Sequence, residues 1–199
     1  LEDAFKDFIN KYGYVKHNRL LFFYSGHGYT RSEGKKGYLV PVDAPDPNDD
    51  DMGFVQKAMN MSQILTWARR IEAKHALFLF DSCFSGTIFK TKSKAIPKHI
   101  SHITSRPVRQ FISAGSAGEE VPAKSVFVSS FIRGLEGEAD IDKDGYITGT
   151  EMGSYLYKKV LYYDTGQTPQ YGKIKDPDLD EGDFVFALGR DVYEQPSKP

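Results

Sequence analysis

Cys83 is the only cysteine in 199 residues, so an internal disulfide and any metal cluster built from cysteines are both ruled out. Long apolar runs are missing as well: nothing approaches the roughly 20 residues that cross a bilayer, and the amino-terminal end carries no secretory signal pattern. There is no excess of charge of one sign. A net charge of −1 gives no general attraction to nucleic acid or to an acidic membrane surface. The G-x-S-x-G elbow of a serine hydrolase is absent, as are the G-x-G-x-x-G turn and the P-loop that cradle nucleotide phosphates. These gaps favour a soluble, cytoplasmic protein with neither a membrane nor a nucleic acid as its partner. With 40% hydrophobic and 27% charged residues, the composition is that of an ordinary globular chain long enough to bury one core.

The hydrophobic pattern divides the chain into alternating elements. Apolar residues at 1, 4, 5, 8 and 9 predict a helix over Leu1–Tyr12 that Gly13 can end. Leu20–Tyr24 (LLFFY) and Ala76–Phe80 (ALFLF) are wholly apolar runs, the mark of strands buried on both faces. Between them lie an extended piece interrupted by Pro41 (Tyr38–Val42), an acidic loop (Asp43–Asp51) and a helical stripe of Ile64, Leu65, Ala68 and Ile71, with Ser62 as its expected N-cap. Strand, helix, strand in this order argues for a parallel pair in an α/β sheet. Thr87–Arg106 is polar and basic and reads as a long loop. A third strand is expected at Val108–Ser113, helices at Ser125–Leu135 and Met152–Tyr163, and a last strand at Phe184–Leu188. No internal repeat or linker divides the chain, so residues 1–199 read as one domain.

Two chemically able side chains follow the two apolar strands at the same offset. His27 comes three residues after Tyr24, and Cys83 three after Phe80. Ligands of open α/β sheets bind outside the carboxyl ends of the strands, so neighbouring strands would bring this imidazole and this thiol to one edge. A thiolate is the reactive form of cysteine, and an imidazole beside it can take its proton and later protonate a leaving amine. Gly26 and Gly28 frame His27 and let backbone approach a bound peptide. The N–H groups of Gly28 and Cys83 are candidate donors to a developing oxyanion. Against this stand the bland alternatives: a lone cysteine is commonly a buried small hydrophobe, and His17, His75, His99 and His102 show that histidine is not rare here.

FFYSGHG (Phe22–Gly28), GYLVPVDA (Gly37–Ala44), LFLFDSCFSG (Leu77–Gly86), FISAGSAGEE (Phe111–Glu120) and FIRGLEG (Phe131–Gly137) resemble, in this order, the peptidase family of caspases, metacaspases and their bacterial relatives. The resemblance implies a caspase-like three-layer α/β fold, a mostly parallel sheet flanked by helices. It also implies a cysteine endopeptidase acting on peptide or protein substrates, with His27 as base, Cys83 as nucleophile, Gly28 as oxyanion donor and no cofactor for catalysis. Asp81 stands two positions before the nucleophile, as in metacaspases, where it lines the pocket for the residue on the amino side of the cut. A buried carboxylate there favours Arg or Lys, and Ser25 and Ser113 are further candidates for that pocket. Phe84 departs from the caspase motif, which has a basic or polar residue followed by Gly. The family also begins with a further strand, expected to lie before Leu1.

Asp140–Glu151 (DIDKDGYITGTE) fits the calcium loop D-x-D-x-D-G-x₅-E. Asp140, Asp142, Asp144 and Glu151 would offer carboxylates, Tyr146 its carbonyl and Thr148 its hydroxyl to Ca²⁺, with Gly145 making the turn. The competing reading is an Asp-rich turn leading into a helix. Lys90, Lys92 and Lys94 lie in the basic loop after the nucleophile and match the expected specificity, which makes them candidates for self-cleavage. Two other functions stay open at this point: an inactive caspase-like interaction or scaffold domain, and a calcium-sensing module. The oligomeric state is not legible.

Overall fold

The computed structural model describes residues 1–32, 36–83, 89–90, 100–116, 119, 126–163 and 166–189, and of Cys83, Phe89 and Lys90 the backbone alone. The elements run α1 (Glu2–Phe8) continued by a π-helical turn (Ile9–Gly13), β1 (Arg19–Ser25), β2 (Gly28–Arg31), β3 (Lys36–Leu39), α2 (Asp51–Lys57), β4 (Met59–Asn60), α3 (Met61–Arg70), β5 (His75–Cys83) and β6 (Phe89–Lys90). Then follow α4 (Ile100–Ser105), β7 (Val108–Gly115), α5 (Val126–Arg133) with a second π-helical turn (Gly134–Glu138), β8 (Tyr146–Thr148), α6 (Gly149–Tyr163), β9 (Gln170–Ile174) and β10 (Val185–Ala187).

The central sheet has the order β1-β5-β7-β9-β6. Strands β1, β5 and β7 are parallel, and β9 returns antiparallel to β7. Two smaller sheets flank it: β2-β3-β4 and the ribbon β8-β10. Side chains alternate across a strand, and β5 sorts them into two cores. Phe78 and Phe80 join Phe22, Ile64, Trp67 and Phe111 on one face, where α1 and α3 pack. Leu77 and Leu79 join Ile112, Phe127, Met152 and Leu156 on the other, under α5 and α6. Helix, sheet, helix is the expected three-layer α/β architecture. On the α1–α3 side, Phe22, Phe78 and Phe111 are register partners on three strands. Their rings stack with centroids 4.6 Å apart at both steps, a cross-strand aromatic ladder that holds β1, β5 and β7 in register.

Arg109 is a fully buried cation on β7. Its guanidinium donates to the carbonyls of Ala68, Lys74 and Val108 at 2.8–3.0 Å and to that of Ile71. It therefore satisfies carbonyls left open at the end of α3. Burial pushes its pKa down to about 10, which leaves it charged at neutral pH.

Several sequence expectations change. Asn60, not Ser62, caps α3: its side chain accepts from the Ser62 N–H at 2.8 Å. Leu20–Tyr24 is not buried on both faces. Leu21 and Phe23 are 41% and 53% exposed, because β1 is the edge strand among the described residues and only its other face meets a helical layer. The stretch read as a loop over Thr87–Arg106 contains β6 and α4. Phe184–Leu188 does form a strand, β10, but in the ribbon with β8 rather than in the central sheet. No helix among the described residues is long and apolar enough to cross a membrane.

Candidate active site

The parallel ladder of β1 and β5 ends on the pair Ser25 and Asp81. His27 lies two residues beyond that pair, between β1 and β2, and Cys83 two residues beyond it at the end of β5; the two strands are spaced by about 4.8 Å. Both lie at the carboxyl end of the sheet, where the strand order predicts a site. The Gly26 N–H donates to the Asp81 carbonyl at 3.3 Å, so backbone pairing continues to the residue before His27. The Cys83 side chain lies outside the described part of the structure. Its backbone stands opposite Gly115 of β7.

A bulge precedes the cysteine. Phe80 pairs with Ser113 and Cys83 with Gly115, so β5 spends one more residue than β7 over this interval. An irregularity of this kind bends the strand locally and is common beside active sites. It leaves Asp81 and Ser82 buried. The Asp81 carboxylate accepts from the exposed Ser25 hydroxyl at 3.1 Å, so these two pocket candidates are brought together. Ser113, the third, is fully buried and donates its hydroxyl to the Gly115 carbonyl at 3.2 Å, at the end of β7 opposite Cys83.

The His27 segment is held from below. The imidazole is exposed, but its backbone carbonyl accepts from the Val40 N–H at 2.9 Å. The Tyr24 hydroxyl sits 2.9 Å from the carbonyls of both His27 and Val40 and donates to one at a time. Burial raises the Tyr24 pKa, so the hydroxyl keeps its proton. Gly28 then opens β2 opposite Leu39. Gly26 makes this arrangement possible, because a Cβ there would come within 2.7 Å of the Tyr24 hydroxyl. Gly26→Ala is expected to displace that ring and loosen the backbone around His27, lowering Tm; thermal unfolding checks this, and an unchanged Tm would show that the Tyr24 contact does not hold the segment.

Two positioning groups escaped the sequence reading. Tyr24 looked like the last residue of an apolar strand. Glu119 belongs to a motif already quoted but had no role. One of its carboxylate oxygens accepts the N–H groups of both Ser116 and Thr168 at 2.8 Å, joining the chain that leaves β7 to the chain that enters β9. Burial opposes ionisation of Glu119, but those hydrogen bonds prevail and hold its pKa below the usual range. No local signal could have found this, since Thr168 is 49 residues away.

The acidic loop forms a compact turn ahead of α6. Ligand oxygens of Asp140, Asp142 and Asp144 all lie within 4.8 Å of one another, and Gly145 makes the turn at φ 87°. Desolvation first, and then its acidic neighbours, raise the Asp144 pKa. Glu151 does not join this group. Its carboxylate accepts from the Thr148 N–H and hydroxyl at 2.8 and 2.9 Å, while its own N–H donates to the Thr148 hydroxyl at 3.0 Å. That is a complete capping box. Tyr146 opens β8, whose partner is β10. Of the self-cleavage candidates, Lys90 lies in β6 opposite Lys173, and Lys92 and Lys94 fall outside the described residues.

Compared with known proteins, residues 1–171 match the family model described as Caspase domain. No curated protein matches the chain.

Proposed function

Because the chain belongs to the caspase-domain family of cysteine-type peptidases, we propose that it is an endopeptidase cutting after Arg or Lys through Cys83 and His27. The observation that carries this reading is the ladder end: Ser25 pairs with Asp81, and the imidazole and the thiol each follow by two residues. The Cys83 sulfur, deprotonated by His27, attacks the scissile carbonyl. The N–H groups of Gly28 and Cys83 stabilise the oxyanion. The C–N bond breaks as His27 protonates the leaving amine, which leaves a thioester on Cys83. Water, deprotonated by His27, then cleaves the thioester, releasing the carboxylic acid and restoring the thiol. Asp81, 6% exposed at the foot of the site and hydrogen-bonded to Ser25, supplies a buried negative charge for the substrate's cationic side chain. The test is hydrolysis of fluorogenic peptides ending in Arg, Lys, Asp or Asn. Turnover confined to Arg and Lys is expected, and turnover after Asp would refute the role of Asp81.

The same reading includes Ca²⁺ at the acidic loop. Three convergent carboxylates on a tight turn fit a hard divalent cation, and the cation would offset their mutual repulsion. Asp140, Asp142 and Asp144 would hold it, and the Tyr146 carbonyl and the Thr148 hydroxyl are the further oxygens that the loop pattern offers. The second Glu151 oxygen, Oε1, could also take part, although it now accepts from the Ile141 N–H at 3.3 Å. Calcium at about 100 times its Kd is expected to stabilise the fold by about 2.7 kcal/mol, read as a rise in Tm, and the double variant Asp140→Asn, Asp144→Asn should remove the rise. An unchanged Tm with calcium or chelator would leave the loop as a capping turn.

A further inference from the structure

At the end of the sheet opposite Cys83, three cations share one small hollow. Strands β1 and β5 begin there with the pair Arg19 and His75. That pair lies about 20 Å from the Ser25–Asp81 pair, at roughly 3.3 Å per residue. The hollow has a volume of about 180 Å³, and its walls include Lys16, His17, Arg19, Lys74, His75 and Thr104, with no carboxylate among its lining residues. Among the described residues, none of Lys16, Arg19 and Lys74 forms a salt bridge. Arg19 is anchored: its guanidinium donates to the Val185 carbonyl and lies 4.8 Å over the Phe184 ring. Although the residue is exposed, these contacts anchor its charge at the wall.

His75 adds an unsatisfied atom. The residue is 3% exposed. Its Nε2 faces the Arg106 carbonyl at 3.1 Å and so must carry a hydrogen, while Nδ1 has no hydrogen-bond partner. The groups facing this ring are Arg19 from β1, Lys74 from the turn before β5, Arg109 from β7, the Arg106 carbonyl and the Phe184 ring. Burial first, and then these cations, push the His75 pKa down. Convergent positive charge without a counter-charge raises the local anion concentration.

We propose that this hollow is a binding site for a small oxyanion of the phosphate class, held by Lys16, Arg19 and Lys74. The volume falls below the roughly 300 Å³ at which pockets for drug-sized ligands begin, so the site suits a phosphate group rather than a whole nucleotide. The anion offsets the cations around His75, and the ring takes up a proton at Nδ1. Binding is therefore tighter at low pH. The site is remote from Cys83 and stands or falls apart from the peptidase reading.

The test is calorimetric titration of the whole chain with sulfate and with inorganic phosphate, at ionic strength held constant with chloride. Sulfate serves for the pH series because its own charge is constant between pH 6 and 8. Saturable one-to-one binding is expected, about tenfold weaker in the double variant Lys16→Gln, Lys74→Gln, whose peptide hydrolysis is unchanged. Sulfate should bind more tightly at pH 6 than at pH 8 in a His17→Asn background, which removes the other imidazole lining the hollow, and adding His75→Asn should abolish that difference. Should that variant fail to fold, the His75 ring resonance in the unaltered chain must titrate at higher pH with sulfate present. Inorganic phosphate compared with phosphoserine tells a free ion from an esterified one, and saturable binding of either supports the site. A response no greater than that to chloride, an affinity unaltered in the lysine variant, or binding independent of pH overturns the proposal.

Discussion

Replacing Cys83 by alanine is expected to lower kcat/KM on peptides ending in Arg or Lys by at least about 10³-fold, and His27→Ala should cost nearly as much. The double variant should be little worse than either single one, because a nucleophile and its base act as a unit and their losses do not add. Both residues sit two positions beyond one register pair, so neither substitution touches the aromatic ladder beneath them. Normal thermal unfolding should therefore accompany the lost activity. Mass spectrometry of the same proteins reads self-processing: the active chain should be cut after Lys90, Lys92 or Lys94, and Cys83→Ala should remain one chain. Cleavage that persists in Cys83→Ala would assign the activity to a contaminant or to another residue.

Asp81→Asn should cut kcat/KM for an Arg-terminated peptide by about 10²–10³-fold, since removing one partner of a buried, hydrogen-bonded charge pair costs about 2–5 kcal/mol or more. Asparagine keeps the shape and can still accept from Ser25, so the fold should be preserved. Hydrolysis after uncharged residues should fall far less, and that split separates a specificity role from a structural one. Equal losses on all substrates would make Asp81 a turn residue that merely supports the bulge before Cys83. Ser25→Ala should cost only a few-fold, because its hydroxyl is exposed and contributes one hydrogen bond to the carboxylate.

The legible parts of this molecule were those whose physics is local. LLFFY and ALFLF announce strands through composition, and the helix between them makes the pair parallel. The placement of His27 and Cys83 at one edge of the sheet was legible because each follows such a strand at the same offset. Strand β9 was not: Gln170–Ile174 carries Gln, Tyr, Gly and Lys, and its place in the sheet comes from backbone pairing with β7 rather than from an apolar signature. Helix α4, Ile100–Ser105, contains β-branched and hydroxyl residues of modest helix propensity, and its one fully buried side chain, Ile103, gives no periodicity to detect. The bulge between Phe80 and Cys83 depends on how many residues β7 spends alongside, which β5 alone does not encode. The exposure of Leu21 and Phe23 likewise follows from the edge position of β1, a property of the whole sheet.

The central claim is that Cys83 is the nucleophile of a site selecting a cationic residue. Intact-mass analysis after incubation with peptidyl fluoromethyl ketones ending in Arg or in Asp tests it most directly, because the chain has one cysteine and a thiol adduct has one place to form. A single adduct on Cys83 with the Arg reagent, none with the Asp reagent and none in His27→Ala is the expected result. Labelling by the Asp reagent alone, or an unmodified Cys83 with every reagent, would contradict the account.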